Sequence, residues 1–209
     1  MLVLGLDTTR KSAKVFLVDT KDNEKSIFSE MDENVKHSDG LFLHIEKVLV
    51  EKGINIAEID AMSCVVGPGS FTGIRVGMST IKGLNKVLNK SVIAMNAFEV
   101  LLDKVSNGLI VLNSTHTSCY YARVLKSNIV ETGNVEKSKI SELANNQDVI
   151  LLKEEQELIG LEYNKLVVID SMVPLYFNCI VQKLNTMQYG DFVPYYLQLS
   201  QAERNQNND

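Results

Sequence analysis

The sequence predicts an α/β fold in which short apolar strands are connected by turns and helices. Three strand candidates separated by turn signals open the chain, at residues 2–6, 13–18 and 27–31. A continuous apolar run at residues 61–66 is typical of a buried central strand. A glycine-rich turn then leads into a long helical pattern over residues 70–89. We therefore expect an antiparallel meander at the start and helices between the later strands.

The composition excludes several classes of protein. The chain has 209 residues, of which 45% are hydrophobic and 22% charged, so one or two domains with a full core are expected. Its net charge of −5 gives no general attraction for phosphate backbones, and we do not expect it to bind nucleic acid unaided. No stretch reaches the roughly 18 apolar residues of a membrane span. Met1 leads directly into the first strand rather than a signal peptide, so we expect a cytoplasmic protein.

The cysteine pattern indicates buried thiols rather than disulfides. Cys64, Cys119 and Cys179 are odd in number and far apart, without a CxxC pair. We interpret them as small buried apolar residues in a reducing compartment.

The first long helix is predicted over residues 38–52, with Ser38 as its N-cap and Gly53 as its end. Leu43 and Val50 lie outside its main apolar face, which is formed by Leu41, Ile45, Val48 and Leu49. Two interpretations stay open, a helix that is buried on more than one side and a helix with a partner-binding face.

The later elements are predicted in the same way. Strands are expected at residues 91–95, 108–113, 119–126, 149–152 and 166–169, and helices at 97–105 and 138–145. A last helix capped by Asp170 or Ser171 should reach Met187, with Pro174 in its first turn. Residues 192–199 should be extended, and the polar residues 201–209 should form a flexible tail.

The densest signal is a glycine-rich strand-to-helix turn. It reads Gly67-Pro68-Gly69-Ser70-Phe71-Thr72-Gly73-Ile74-Arg75-Val76-Gly77. Ser70 or Thr72 can cap the helix, and the N–H groups of such a helix start can bind an anion. The pattern is neither GxGxxG nor a P-loop, so alone it does not indicate a nucleotide site.

Small residues also share one face of the second helix. Gly73, Gly77 and Thr80 recur at helical spacing, although each interior glycine costs roughly 1 kcal/mol relative to alanine. Such a face permits a close approach, either by the protein's own sheet or by a helix of another protein.

The histidines do not form a recognisable metal motif. His37, His44 and His116 include no HxxxH or HExxH pair, so we expect no metal site. Ser70 lacks the GxSxG context of a nucleophile elbow, and we interpret it as a helix-start residue.

Four segments resemble the bacterial TsaB (YeaZ) family of the actin, Hsp70 and sugar-kinase superfamily. They are Leu4-Gly5-Leu6-Asp7-Thr8-Thr9, His37-Ser38, residues 67–77, and Val193-Pro194-Tyr195-Tyr196-Leu197. The resemblance implies two tandem RNase H-like (actin-like ATPase) lobes with mixed sheets, the second lobe reduced. It implies a first lobe of residues 1–105, joined by segment 191–200, and a second lobe of residues 106–190.

The resemblance also implies a function. TsaB proteins are partners of TsaD, which transfers a threonylcarbamoyl group to N6 of adenosine 37 in tRNAs that read codons beginning with A. The ATPase TsaE joins the pair, and TsaC supplies threonylcarbamoyl-AMP. By this resemblance the chain is a non-catalytic scaffold. We expect its docking face on the helices at residues 38–52 and 70–89, because both have more apolar or small surface than one sheet face requires. The residues of this face are Leu43, Val50, Gly73, Gly77 and Thr80. We expect no cofactor on the chain alone, ATP or ADP at the complex interface, tRNA contact only through the complex, and a homodimer as an alternative assembly.

Alternatives from other classes stay open. In superfamily enzymes an acidic residue after the first strand positions Mg²⁺, and Asp7, Thr8 and Thr9 are the phosphate-site candidates here. Residues 10–12 lack the glycines of a tight phosphate-binding turn, which favours the alternative that Asp7 only ends the strand and caps its turn. The chain could then be a self-sufficient metallopeptidase or kinase-like phosphotransferase, or a plain homodimer without an enzyme partner. It departs from the family pattern at Asn113-Ser114-Thr115 and at Gln198, where charged residues are expected.

Overall fold

The structure is a computed structural model that describes residues 1–34, 37–155, 166–170 and 172–197, without the side chains of residues 37–39. The chain divides into two units. The first comprises Met1–Ala97 and Tyr176–Tyr195, and the second comprises Phe98–Leu175 and the described residues from Tyr196. Each unit contains one five-stranded sheet.

The sheet of the first unit begins with the predicted meander. Its strands are β1 (Leu2–Asp7), β2 (Lys14–Asp19), β3 (Ile27–Glu30), β4 (Ala61–Val65) and β5 (Ser91–Met95). Their spatial order is β3-β2-β1-β4-β5, with antiparallel pairs among β1 to β3 and parallel pairs from β1 to β4 and β4 to β5. The mixed sheet is therefore confirmed.

Two helices, α1 (His37–Lys52) and α2 (Phe71–Leu88), pack on one face of this sheet. Side chains alternate between the faces of a strand, so Leu4 and Leu6 of β1 share the core with α1 and α2 while Gly5 points to the other face. The prediction of Ser38 as the N-cap is wrong, because α1 begins at His37 and Ser38 lies in its first turn. Gly53, with φ +72°, follows the end of α1 as predicted.

The second unit repeats the same strand order. Its strands are β6 (Asn107–Asn113), β7 (Ser118–Leu125), β8 (Asn128–Glu136), β9 (Val149–Leu152) and β10 (Leu166–Ile169), arranged β10-β9-β6-β7-β8. The short helix α3 (Ala97–Leu101) precedes β6, and α4 (Ile140–Ala144) has 5 residues where α1 has 16. The predicted reduction of the second lobe is found in this helix rather than in the sheet.

One strand was not predicted. The nine residues of β8 form an edge strand whose side chains are mostly exposed or half-buried, so they carry no apolar alternation. Gly133 also interrupts the pattern, and the ring of Tyr121 on β7 lies over it. β8 therefore depends on its pairing with β7, which a local pattern cannot reveal.

The last helix, α5 (Val173–Thr186), starts close to its predicted position with Pro174 in its first turn. Ser171, Gln198 and the predicted tail at residues 201–209 lie outside the described residues. Beyond α5, the predicted extended segment forms no regular strand in its described part.

All three cysteines are free and buried, as predicted. Burial raises the pKa of Cys64, and it raises the pKa of Cys119 to about 11. None of the helices in the described ranges has the length and apolar character needed to cross a bilayer.

Candidate functional site

Three segments that are distant in sequence meet in the first unit. Thr8 Oγ1 donates to the carbonyl of Gly73 at 2.7 Å, and the N–H of Ser70 donates to the carbonyl of Thr9 at 2.9 Å. The N–H of Tyr195 donates to the carbonyl of Val66 at 2.8 Å. We call residues 7–9, 66–77 and 195 the motif junction.

The glycines of the junction permit this approach. A Cβ atom on Gly69 would lie 2.4 Å from Thr9 O, and one on Gly73 would lie 1.9 Å from Thr8 O. A Cβ on Gly77 would lie 2.4 Å from Thr8 Oγ1. The glycine face of α2 thus packs against the turn that follows β1 of the same chain.

This orientation corrects part of the predicted partner surface. Gly73 and Gly77 are buried, so they are not accessible to a helix of a second protein. Thr80 is half-buried, whereas Leu43 and Val50 are 66% and 70% exposed on α1. The small residues follow helical spacing because of contacts inside the chain, which spacing alone cannot distinguish from a partner contact.

The start of α2 is held by its own residues. Gly67, with φ +125°, would place a Cβ 2.4 Å from the carbonyl oxygen of Tyr195, and its peptide bond to Pro68 is cis. Ser70 is the N-cap, and its Oγ accepts from the N–H of Gly73 at 3.1 Å. Thr72 is exposed and is not the N-cap. The N–H groups of Ser70 and Gly73 therefore bond to acceptors within the chain.

Asp7 is buried at the junction and accepts three hydrogen bonds there. Its Oδ1 accepts from the N–H of Thr9 at 2.9 Å and from Thr9 Oγ1 at 2.6 Å. Its Oδ2 accepts from the hydroxyl of Tyr176 at 2.5 Å. The Tyr176 ring stacks on Phe16, with centroids 4.4 Å apart and an interplanar angle of 10°. Because the Asp7 side chain is also fully buried, a magnesium ion has no direct access to its oxygens in this arrangement, and the carboxylate does not fit a metal–nucleotide site.

Tyr176 is the site residue that the sequence did not reveal. It lies 169 positions from Asp7 within an apolar helix, and no local motif marks it. Its role depends on α5 packing on the face of the sheet opposite α1 and α2.

Two motif residues lie away from these contacts, on the outer surface of α2. Arg75 is exposed, and its guanidinium carbon lies 4.0 Å from the centroid of the Phe71 ring. Because the buried face of α2 is fixed on the junction, Arg75 points in the opposite direction.

The histidines are separated by the fold. His44 Nδ1 lies 2.8 Å from Ser29 Oγ, and burial together with the charge of Lys47 lowers the pKa of His44. His116 is exposed, and the side chain of His37 lies outside the described part. Within the described ranges, no three His, Cys, Asp or Glu side chains cluster as a metal would require.

The departure from the family pattern at residues 113–115 lies in the turn between β6 and β7. The N–H of Asn113 donates to Oε2 of the buried Glu155 at 3.1 Å. Thr115 Oγ1 accepts from the N–H groups of Thr117 and Ser118 at 3.3 and 3.1 Å. The Thr115 side chain therefore helps to hold the turn together, whereas the buried Oδ1 of Asn113 has no hydrogen-bond partner among the described residues.

Comparison with known proteins agrees with this arrangement. Residues 33–171, more than half of the chain, match the sequence profile of a family described as TsaD, tRNA N6-adenosine threonylcarbamoyltransferase. The chain belongs to the TsaD family.

Relatives in the TsaD family carry two names. A tRNA threonylcarbamoyladenosine biosynthesis protein TsaB of Haemophilus influenzae is 26% identical over 137 residues, which are 62% of this chain and 56% of that protein. A TsaB of Buchnera aphidicola is 23% identical over 174 residues, 79% of this chain and 80% of its own length. A tRNA N6-adenosine threonylcarbamoyltransferase of Zymomonas mobilis is 34% identical over 112 residues, 47% of this chain and 31% of the enzyme. The chain thus spans about half of the first of these relatives and a third of the last.

A solved structure shows the same fold. YeaZ from Pseudomonas aeruginosa superposes with a TM-score of 0.73 over 94% of this chain and 99% of that chain, at 16% identity. The resemblance to TsaB and the two tandem RNase H-like lobes are therefore confirmed.

The close contact at Gly73 generates a paired prediction. Gly73→Ala should lower the free energy of unfolding by about 2 kcal/mol or more, because its Cβ would overlap a backbone oxygen that cannot move freely. Gly83→Ala, in the same helix with nothing within 4 Å, should raise it by about 0.5–1 kcal/mol. Urea unfolding measures both variants, and equal effects would contradict the inward orientation of Gly73.

The bond between Tyr176 and Asp7 generates a second prediction. Tyr176→Phe should lower the free energy of unfolding by about 1–3 kcal/mol, because it removes the hydroxyl that donates to Oδ2 of a buried carboxylate. Tyr121→Phe is the matched control, because its hydroxyl donates to Glu131 at the surface and its loss should cost under about 1 kcal/mol. Similar unfolding midpoints for the two variants would show that Tyr176 does not hold Asp7.

Proposed function

We propose that this chain is a non-catalytic scaffold subunit of a complex that forms N6-threonylcarbamoyladenosine at position 37 of tRNAs reading codons that begin with A. The observation that carries this proposal is that Asp7 already accepts hydrogen bonds from other residues of the chain. In an RNase H-like fold the carboxylate after the first strand is the natural magnesium ligand, and here it accepts from Thr9 and Tyr176. The family relationship supplies the reaction, and the engaged carboxylate favours a supporting role over phosphoryl transfer.

The proposed partner is a TsaD-like transferase subunit, joined by a TsaE-like ATPase. Kinship to both TsaB and TsaD proteins favours a heterodimer of two similar folds. We propose that the chain alone binds no cofactor and that ATP or ADP binds at the interface of the complex. The complex is proposed to work in the cytoplasm.

The docking surface of this proposal lies on α1. Phe42, Leu43 and Val50 form what we call the α1 patch and are 59%, 66% and 70% exposed. Leu43 and Val50 lie seven residues apart and so two turns apart on the same side of the helix. Three large apolar side chains on an amphipathic helix that already buries Leu41, Ile45 and Val48 favour contact with another apolar surface.

The α1 patch can be tested directly. Leu43→Asp and Val50→Asp should each weaken binding to a purified TsaD homologue at least tenfold, because a buried carboxylate without a partner opposes docking. Val130→Asp, at a 54% exposed valine in the second unit, is the control that should bind normally. Titration calorimetry measures affinity, and circular dichroism checks folding. Normal binding by both α1 variants would remove the patch from the interface, and loss of self-association in their sedimentation would assign it to a homodimer.

The scaffold role itself is tested by reconstitution. Threonylcarbamoyladenosine formed on a tRNA transcript is quantified by mass spectrometry with TsaC, TsaD and TsaE proteins present. The mixture of TsaC, TsaD and TsaE proteins should form product only when this chain is added. A mixture of this chain and TsaC without TsaD should form no product. Turnover without TsaD that Asp7→Ala abolishes would instead identify the chain as an enzyme.

A further inference from the structure

The charges of the chain are distributed unevenly. Residues 61–98 contain no Asp or Glu, although the whole chain has 26 of them. The same stretch carries four cationic side chains, at Arg75, Lys82, Lys86 and Lys90. An acidic protein with a net charge of −5 thus contains a long stretch without acidic residues, and residues 104–130, with Lys104, Arg123 and Lys126, are a second one.

Helical geometry gathers most of these cations on one side of α2. Arg75, Ser79, Lys82 and Lys86 follow each other at steps of four, three and four residues, and all four are exposed. We call them the α2 stripe. The opposite face of the helix is buried through Gly73, Ile74, Gly77, Met78 and Ile81. At a rise of 1.5 Å per residue, the stripe extends about 16 Å.

Aromatic rings support two of these cations. The guanidinium carbon of Arg75 lies 4.0 Å from the Phe71 ring centroid, and Lys82 Nζ lies 5.6 Å from that of Phe192. Such contacts restrict the freedom of a long side chain. The positive charge that the stripe presents rests mainly on Lys82 and Lys86, which are both exposed.

The composition of the stripe favours a phosphate backbone over a protein surface. Protein interfaces are depleted in lysine and rely on apolar and aromatic residues, and the stripe has no apolar member. Arginine, lysine and serine are among the side chains that contact phosphate oxygens in nucleic-acid complexes. The apolar α1 patch is the chemically distinct surface for a protein partner.

We propose that the α2 stripe binds the phosphate backbone of RNA and is this chain's contribution to holding tRNA in the complex. The identity of the RNA rests on the proposed function, whereas the binding of a polyanion rests on the stripe alone. Because the remainder of the chain is acidic, the isolated protein binds weakly and only at low salt.

Salt-dependent binding of a fluorescent tRNA transcript tests this proposal. Anisotropy is measured over a series of NaCl concentrations, first with the chain alone and then with the chain bound to its TsaD partner. The doubly substituted Lys82→Gln, Lys86→Gln protein should bind at least tenfold more weakly at about 50 mM salt, and its log–log salt slope should be smaller by about two. Lys104→Gln, Lys139→Gln removes the same charge from exposed lysines outside the stripe and should leave the slope unchanged.

Several outcomes would overturn the stripe as an RNA site. Equal slopes for the two double variants would do so, as would the absence of RNA binding in both arms. Loss of TsaD affinity in the Lys82, Lys86 variant with unchanged RNA binding would assign the stripe to an acidic protein surface. The arm with the chain alone needs no partner, so it remains decisive if the proposed scaffold role fails.

Discussion

The contact between α2 and the turn after β1 determines the arrangement of the first unit. The carbonyl oxygen of Thr8 lies where a side chain on Gly73 would begin, and the Thr8 hydroxyl occupies the equivalent position at Gly77. The same turn accepts the N–H of Ser70 and donates to the carbonyl of Gly73. Because only glycine permits this distance, the loss of helix propensity at Gly73 and Gly77 is offset by a contact that places the helix against the strand end. The buried face of α2, and with it the direction of every exposed side chain on that helix, follows from this contact.

Most of the fold could be predicted because its elements carry local signals. The apolar run before Gly67, the serine cap at the start of α2 and the glycine after α1 each depend on neighbouring residues. β8 was missed because its side chains have no buried face of their own, and it is held by pairing with β7. In the candidate site, the motif segments were found, but the direction of Gly73 and the partner of Asp7 were not. Both depend on contacts between distant residues, and Tyr176 reaches Asp7 across 169 positions without any periodic pattern.

The outer surfaces of α1 and α2 differ in a way that the shared core does not require. Both helices bury aliphatic side chains on the same sheet face. Yet α1 exposes Leu43 and Val50, while α2 exposes Val87 near its end and the three cations Arg75, Lys82 and Lys86 along one side. Folding constrains only the inner faces, so the outer faces are free to serve other contacts. For an apolar surface, most of the binding free energy comes from excluding water against another protein. For a cationic surface, most of it comes from the release of counterions from a polyanion. Two neighbouring helices of one unit thus suit two different kinds of partner.

The two sheets share one strand order, and the turn after the first strand is comparable in both units. Leu6-Asp7-Thr8-Thr9 follows β1 where Leu112-Asn113-Ser114-Thr115 follows β6. In the first turn the carboxylate accepts from Thr9 and from Tyr176, and in the second Thr115 Oγ1 accepts from two backbone N–H groups. Polar groups at these strand ends are well placed to bind a ligand in an open α/β sheet. In the first unit the carboxylate of Asp7 is bonded within the chain, whereas in the second unit the buried Oδ1 of Asn113 has no partner among the described residues. The two strand ends therefore share their position in the sheet but differ in how far the protein itself satisfies their polar groups.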